Sequence, residues 1–152
     1  MSVVFQRALR DRFERHLSAV NGHQWYPTAD VVAAFQTVAE EAGPATMRKG
    51  GMECAKAVTD DEEVAGVGSA LGSLRAAHAE AHRGPTAGDY TYDHPRERSV
   101  RVGITGDYPY GAAFAEGVFV QLVRECGPEN AIPFAERATP RDEEAAAWRL
   151  RW

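Results

Sequence analysis

YTYDHPRERSVRVGIT, residues 90–105, decides the fold. Tyr90 and Tyr92, then Val100, Val102 and Ile104, occupy every second position with polar or small residues between them, the two-residue period of strands with one buried face. Asp93 to Arg98 supplies a turn, so the two runs read as a hairpin. Downstream, Gly106-Asp107-Tyr108-Pro109 forms a further turn. From Tyr110 to Cys126 the spacing of Phe114, Val118, Leu122 and Cys126 becomes helical, and Gly127-Pro128 closes the segment. A second hairpin follows, with Ala131 to Glu136 as one arm and Ala145 to Trp152 as the other, where Trp148, Leu150 and Trp152 alternate with Arg149 and Arg151.

Toward the N-terminus the period is helical throughout. Phe5, Leu9, Phe13 and Leu17 predict a helix over residues 3–20, ended by Asn21-Gly22, after which Trp25 and Tyr26 are expected to plug the edge of the core. A second helix is expected to start at Pro27-Thr28, with Thr28 as its cap, and to stop at Gly43-Pro44. A third, Ala45 to Val58, contains Gly50-Gly51, two residues that cost a helix roughly 1 kcal/mol each and predict a kink or a close backbone contact. Thr59-Asp60-Asp61-Glu62 reads as a capping box opening a long helix, rich in small residues, from Asp60 to about His82. The expectation is one α+β domain over residues 1–152. Residues 1–82 are mainly helical; residues 83–152 form an antiparallel sheet of about four strands with a long helix between two hairpins.

Composition narrows the function classes. The 152 residues are 44% hydrophobic and 26% charged, with 17 Lys+Arg against 22 Asp+Glu and a net charge of −5. A nucleic-acid partner needs a basic footprint that is missing, and no apolar run reaches the 18 or so residues of a membrane span. The N-terminal segment lacks the apolar stretch of a signal peptide, so a cytoplasmic location is expected. Cys54 and Cys126 are read as buried free thiols acting as small hydrophobes. The GxGxxG, GxxxxGK[ST], GxSxG and EF-hand patterns are all missing, which favours a non-enzymatic chain.

Chemistry concentrates at His78-Ala-Glu80-Ala-His82. Histidines four apart share a helix face, the spacing that two imidazole ligands to a transition metal require, and His94 or Asp89 could complete the set. Glu80 is not placed as the glutamate of HExxH is, since it stands about 200° around the helix from His78. Equally, the pair reads as helix C-terminal imidazoles favoured by the helix dipole. Arg83 with Gly84, Tyr90 and Tyr92 forms a second cluster, able to grip an anion while aromatic faces pack on a ring. Asp107 to Gly111 offers backbone N–H groups to an anion, or simply a turn capped by Asp107. Trp25, Tyr26, Phe35, Phe114, Phe119, Trp148 and Trp152 supply aromatic volume for a core or for the lining of an apolar pocket between helices and sheet.

Residues 88–152, in their order of hairpin, turn, helix with Phe114-x-x-Gly117, and final aromatic-rich hairpin, resemble the V4R (4-vinyl reductase) domain and its relatives in the haem-NO-binding group. The resemblance implies an α+β fold, a homodimer or regulatory setting, and a small apolar or tetrapyrrole-like ligand. V4R domains carry cysteines at the helix head and in the last hairpin, where this chain has Tyr110-Gly111-Ala112-Ala113 and Ala138-Thr139-Pro140-Arg141, so their metal site is not expected here. The haem-NO-binding proteins use a helical His as axial ligand and a Tyr-x-Ser-x-Arg motif for the haem propionates. Here Arg98-Ser99-Val100-Arg101 keeps Ser-x-Arg with Glu97 in the place of Tyr, and His78, His82 and His16 are the helical histidines. The function expected is therefore a small-ligand-binding or regulatory domain, with Trp25, Tyr26, His78, His82, Arg83, Tyr90, Tyr110 and Phe114 about the ligand. The alternatives are a metal-binding protein or metal-dependent enzyme on His78, His82, His94 and Asp89, and a homodimeric interaction module.

Overall fold

Gly43 stands at φ +76°, a left-handed conformation that no helix interior tolerates, and Pro44 follows it without an N–H to donate. The long first helix of the computed structural model, α1 (Thr28–Thr59), is therefore two helical halves joined at a sharp break. The structure describes residues 24–59, 64–84 and 87–152; the helix expected over 3–20, with His16, lies outside them. After α1 come α2 (Val67–Ala81), β1 (Tyr90–Tyr92), β2 (Ser99–Thr105), α3 (Ala112–Cys126), β3 (Phe134–Ala138) and β4 (Glu144–Arg151). The four strands form one antiparallel sheet in the order β1-β2-β4-β3, the α+β arrangement expected.

The strand alternation works as it reads. Val100 faces Leu150, Val102 faces Trp148 and Ile104 faces Ala146 across β2 and β4, and all six are buried against α3. On the other face, Arg101 reaches Glu144 with both Nη atoms, at 2.9 and 2.5 Å, while Thr91 donates to the same carboxylate at 2.6 Å and the Arg141 N–H at 2.8 Å. The register shift between Ile104 and Thr105 accommodates this carboxylate where plain alternation would turn it toward the core.

Helix α3 is buried on almost all sides, with Phe114, Ala115, Val118, Phe119, Leu122 and Val123 among its buried residues. Its contact with α1 is backbone to backbone. A Cβ at Gly117 would stand 1.9 Å from the Arg48 carbonyl oxygen, and one at Gly51 would stand 2.0 Å from that of Phe114. Of the two outcomes open to Gly50-Gly51, the structure takes the close contact. Glu116 adds a polar tie, accepting from Trp148 Nε1 at 3.2 Å and pairing with Arg48 at 3.1 Å.

Several boundaries differ from the sequence reading. The first α1 turn hangs on the Pro27 carbonyl, which accepts from Asp30 and Val31, and Thr28 is already helical, not a cap. Thr59 ends α1, its hydroxyl donating back to the Lys56 carbonyl at 3.2 Å, so it caps no following helix; α2 starts at Val67 after a non-helical Gly66. The arm expected over 131–136 pairs over Phe134–Ala138, leaving Ile132 85% exposed. Cys54 is exposed and Cys126 half-buried, in place of two buried thiols. Trp25 is 49% exposed and plugs nothing. Among the described residues no helix is long and apolar enough to cross a membrane.

Two outcomes follow. Gly117→Ala should destabilise the fold by about 3 kcal/mol in urea unfolding, because a backbone carbonyl must move, and adding Gly51→Ala should cost less than the sum, since both act on one crossing. The Arg101 hydrogen bonds hold the Glu144 carboxyl down at about 2. A carboxyl lowered on folding contributes stability above its unfolded value and loses it as pH falls through its folded one. Wild-type stability should thus drop between about pH 5 and 2, with a smaller drop in Glu144→Gln, itself about 3 kcal/mol less stable at pH 7.

Candidate functional site

Helix α2 buries Val67, Ala70, Leu71, Leu74 and His78, a regular 3–4 spacing that carries the apolar stripe straight into an imidazole. One turn on, His82 leaves the helix in extended conformation, its ring 4.1 Å from that of His78. His82 stands where three spaces meet, and His78 lines two of them. The largest, of about 690 Å³, opens between α1 and α2. Val31 and Phe35 from the first half of α1, Cys54, Ala57 and Val58 from the second, and Leu74 and Ala77 from α2 form its walls; Tyr90, Tyr110 and Phe114 floor it. A chamber of about 430 Å³, lined by Gln24, Trp25, Tyr26 and Arg83, shares Val31, Ala81, His82 and Tyr110 with it. A cleft of about 380 Å³ lies on the far side of the histidines, beside Asp89, Thr105 and Asp107.

Hydrogen bonds define the imidazoles. His78 Nε2–H donates to the Ala87 carbonyl at 3.0 Å, and burial lowers the ring's basicity more than that carbonyl restores it. His82 Nδ1 lies 2.6 Å from the His78 carbonyl, which has no proton to give, so Nδ1 carries the hydrogen. In the neutral ring Nε2 then holds the lone pair, and Tyr110 Oη donates to it at 2.5 Å.

Around them lies an aromatic shell. Tyr90 and Tyr108 share a buried hydroxyl–hydroxyl bond of 2.6 Å, and burial raises both phenols well above their ordinary range. Tyr110 is pushed up to about 12 by burial, and its ring contacts Phe35 at 4.8 Å and Phe114 at 5.5 Å. Cys54 opens onto the cavity, and the surrounding apolar wall raises its thiol. At the mouth of the smaller chamber the Arg83 guanidinium lies 3.8 Å over the Trp25 ring.

Of the residues singled out in the sequence, Trp25, Tyr26, His78, His82, Arg83, Tyr90, Tyr110 and Phe114 all line one of the two connected spaces. The grouping differs, since Arg83 stacks on Trp25 and not on Tyr90 or Tyr92. The metal set does not assemble. Asp89 is gripped by Arg75 at 2.5 Å, His94 is exposed in the β1–β2 turn, and among the described residues no three His, Cys, Asp or Glu side chains converge on a metal position. The Ser-x-Arg stretch is elsewhere too: Ser99 starts β2, and Arg101 is spent on Glu144 across the opposite face of the sheet. In the 107–111 turn Asp107 accepts from Thr105 at 2.6 Å and the Tyr108 N–H is taken by the Thr105 carbonyl, the capped-turn alternative.

Cys54, Leu74 and Tyr108 were not legible as site residues. Leu74 could have been found from its stripe with His78; Cys54 and Tyr108 needed the helix crossing and the turn geometry. Tyr108→Phe should cost about 1–2 kcal/mol in chemical unfolding by stranding the Tyr90 hydroxyl, and Tyr90→Phe with Tyr108→Phe should cost less than the two single changes added.

No family model matches the chain, and no curated protein matches it in sequence. Solved structures do match in fold. A variant of the H-NOX protein of T. tengcongensis superposes with a TM-score of 0.62 at 13% identity, covering 97% of this chain and 92% of that one. The carbon-monoxide-ligated Fe(II) form of a Shewanella oneidensis H-NOX domain variant gives 0.61 at 10%, covering 95% and 87%. An unliganded Fe(II) H-NOX variant from K. algicida gives 0.62 at 8%, covering 97% and 91%. At these identities the likeness is one of fold. It agrees with the haem-NO-binding part of the resemblance, while the V4R part finds no support. The chain has the fold of H-NOX domains.

Proposed function

We propose that this chain is a non-enzymatic, small-ligand-binding regulatory domain whose cavity takes a planar, largely apolar ring of the haem class. One observation carries the reading: the 690 Å³ apolar space meets, at His82, a 430 Å³ chamber that also carries Gln24, Thr28 and Arg83, so a single occupant would have an apolar body, a central imidazole contact and an edge with polar partners. The fold likeness supports it, since the matching structures include one described by haem distortion in the H-NOX family and an H-NOX domain variant in its Fe(II)CO state.

The residues present fit such a ring. A metal-ligating histidine usually donates its second ring nitrogen to a carbonyl or carboxylate, and His82 does so to the His78 carbonyl. Its Nε2 would hold the iron, with His78 packed against the ring to fix its orientation. Val31, Phe35, Leu74 and Phe114 would exclude water. Stacking on Trp25 uses the face of the Arg83 guanidinium and leaves its in-plane N–H groups for a carboxylate at the ring edge, the task that Arg101 is not placed to perform. A bound haem would supply an iron centre for a diatomic gas.

Titration of the purified protein with iron protoporphyrin should give a stoichiometric complex with an imidazole-ligated absorption spectrum. His82→Ala should lose that spectrum and regain it on addition of free imidazole, and Arg83→Ala should weaken binding by about three- to tenfold. Absence of a stoichiometric complex, or an unaltered spectrum in His82→Ala, would sink this reading.

A further inference from the structure

We infer that Tyr110 attenuates metal binding in the cavity, its hydroxyl occupying the lone pair of His82 Nε2 so that an occupant coordinating that nitrogen must first displace it. The inference rests on the cavity being a haem-class site. The His78 carbonyl fixes the proton of His82 on Nδ1, and Tyr110 Oη covers Nε2 at 2.5 Å. The phenol is not free to swing away at no cost, because its ring is wedged between Phe35, Phe114 and Tyr108, with centroids at 4.8, 5.5 and 5.6 Å.

The chemical consequence is a penalty that falls only on occupants that coordinate His82. A metal ion is a Lewis acid that binds the imidazole lone pair more strongly than a phenol proton does, so a metal-bearing ring can replace Tyr110. A metal-free ring, or an apolar molecule of the same size, offers Nε2 nothing in exchange and leaves the hydroxyl where it is. Every metal-bearing occupant gives up the value of one neutral hydrogen bond on entry, which corresponds to about three- to tenfold in affinity.

Tyr110→Phe removes the hydroxyl while keeping the ring. The ratio of affinities for iron protoporphyrin and metal-free protoporphyrin, measured by absorption and fluorescence titration, should rise about three- to tenfold over wild type; an unchanged or lower ratio overturns the inference. A second measurement needs no porphyrin. Carbethoxylation of His82, read by mass spectrometry against His78, should quicken severalfold in Tyr110→Phe, and an unchanged ratio counts against the inference. Should neither ring bind, the haem-class reading fails, and carbethoxylation alone decides whether Tyr110 guards the lone pair. In the wild type, ¹⁵N spectra of the His82 ring should show a protonated Nδ1 and a bare Nε2, a result independent of how any variant folds; a protonated Nε2 with a bare Nδ1 overturns the assignment.

Discussion

The backbone crossing of α1 on α3 sets the position of nearly everything else. With no side chain at Gly51 or Gly117, the two helices meet carbonyl against Cα, and α1 lies as deep on the sheet-backed helix as covalent geometry permits. That depth puts Cys54, Ala57 and Val58, the next turns of α1, beside Phe114, the first bulky residue of α3. The break at Gly43 then returns the other half of α1 over the same space, so that Val31 and Phe35 face Cys54 and Val58 across one cavity. A straight helix of the same sequence would carry those two groups more than 30 Å apart at 1.5 Å per residue.

Polar groups are sorted onto the two sides of the sheet. On its outer face Glu144 is fully engaged by Arg101, Thr91 and Arg141, a buried carboxylate whose desolvation is offset by charge-assisted hydrogen bonds. Around the cavity the hydrogen bonds join phenol to phenol, phenol to imidazole and imidazole to carbonyl. This is the economical choice for an apolar cavity, because a neutral pair in low dielectric is stabilised without the large penalty of an ion.

Much of the fold was legible because it rests on local periodicity. The hairpin over 90–105, the helix between the hairpins and the Gly43-Pro44 break follow from alternation, 3.6-residue spacing and the special backbone of Gly and Pro. The start of α2 was misplaced because a threonine that reads as an N-cap serves equally well at a helix end, where the Thr59 hydroxyl turns back to the Lys56 carbonyl. The histidine pair was visible as a spacing, but its partners were not: Ala87 and Tyr110 come from a connecting loop and a turn 9 and 28 residues away. Arg101 shows the same limit. A Ser-x-Arg motif reads as a free guanidinium, and only Glu144, 43 residues distant, reveals that it is occupied.

By itself the sequence determined most of the described helices and strands, which strand faces are apolar, and that two imidazoles share a helix face, since each depends on residues within a few positions of one another. The tertiary structure alone decided that α1 folds back over α3 to leave a cavity, that the Tyr110 hydroxyl meets His82 Nε2, and that Arg83 stacks on Trp25 while Arg101 is taken by Glu144. Those outcomes turn on sub-ångström clearances between backbones and on which distant donor reaches an acceptor first. No local pattern carries that information.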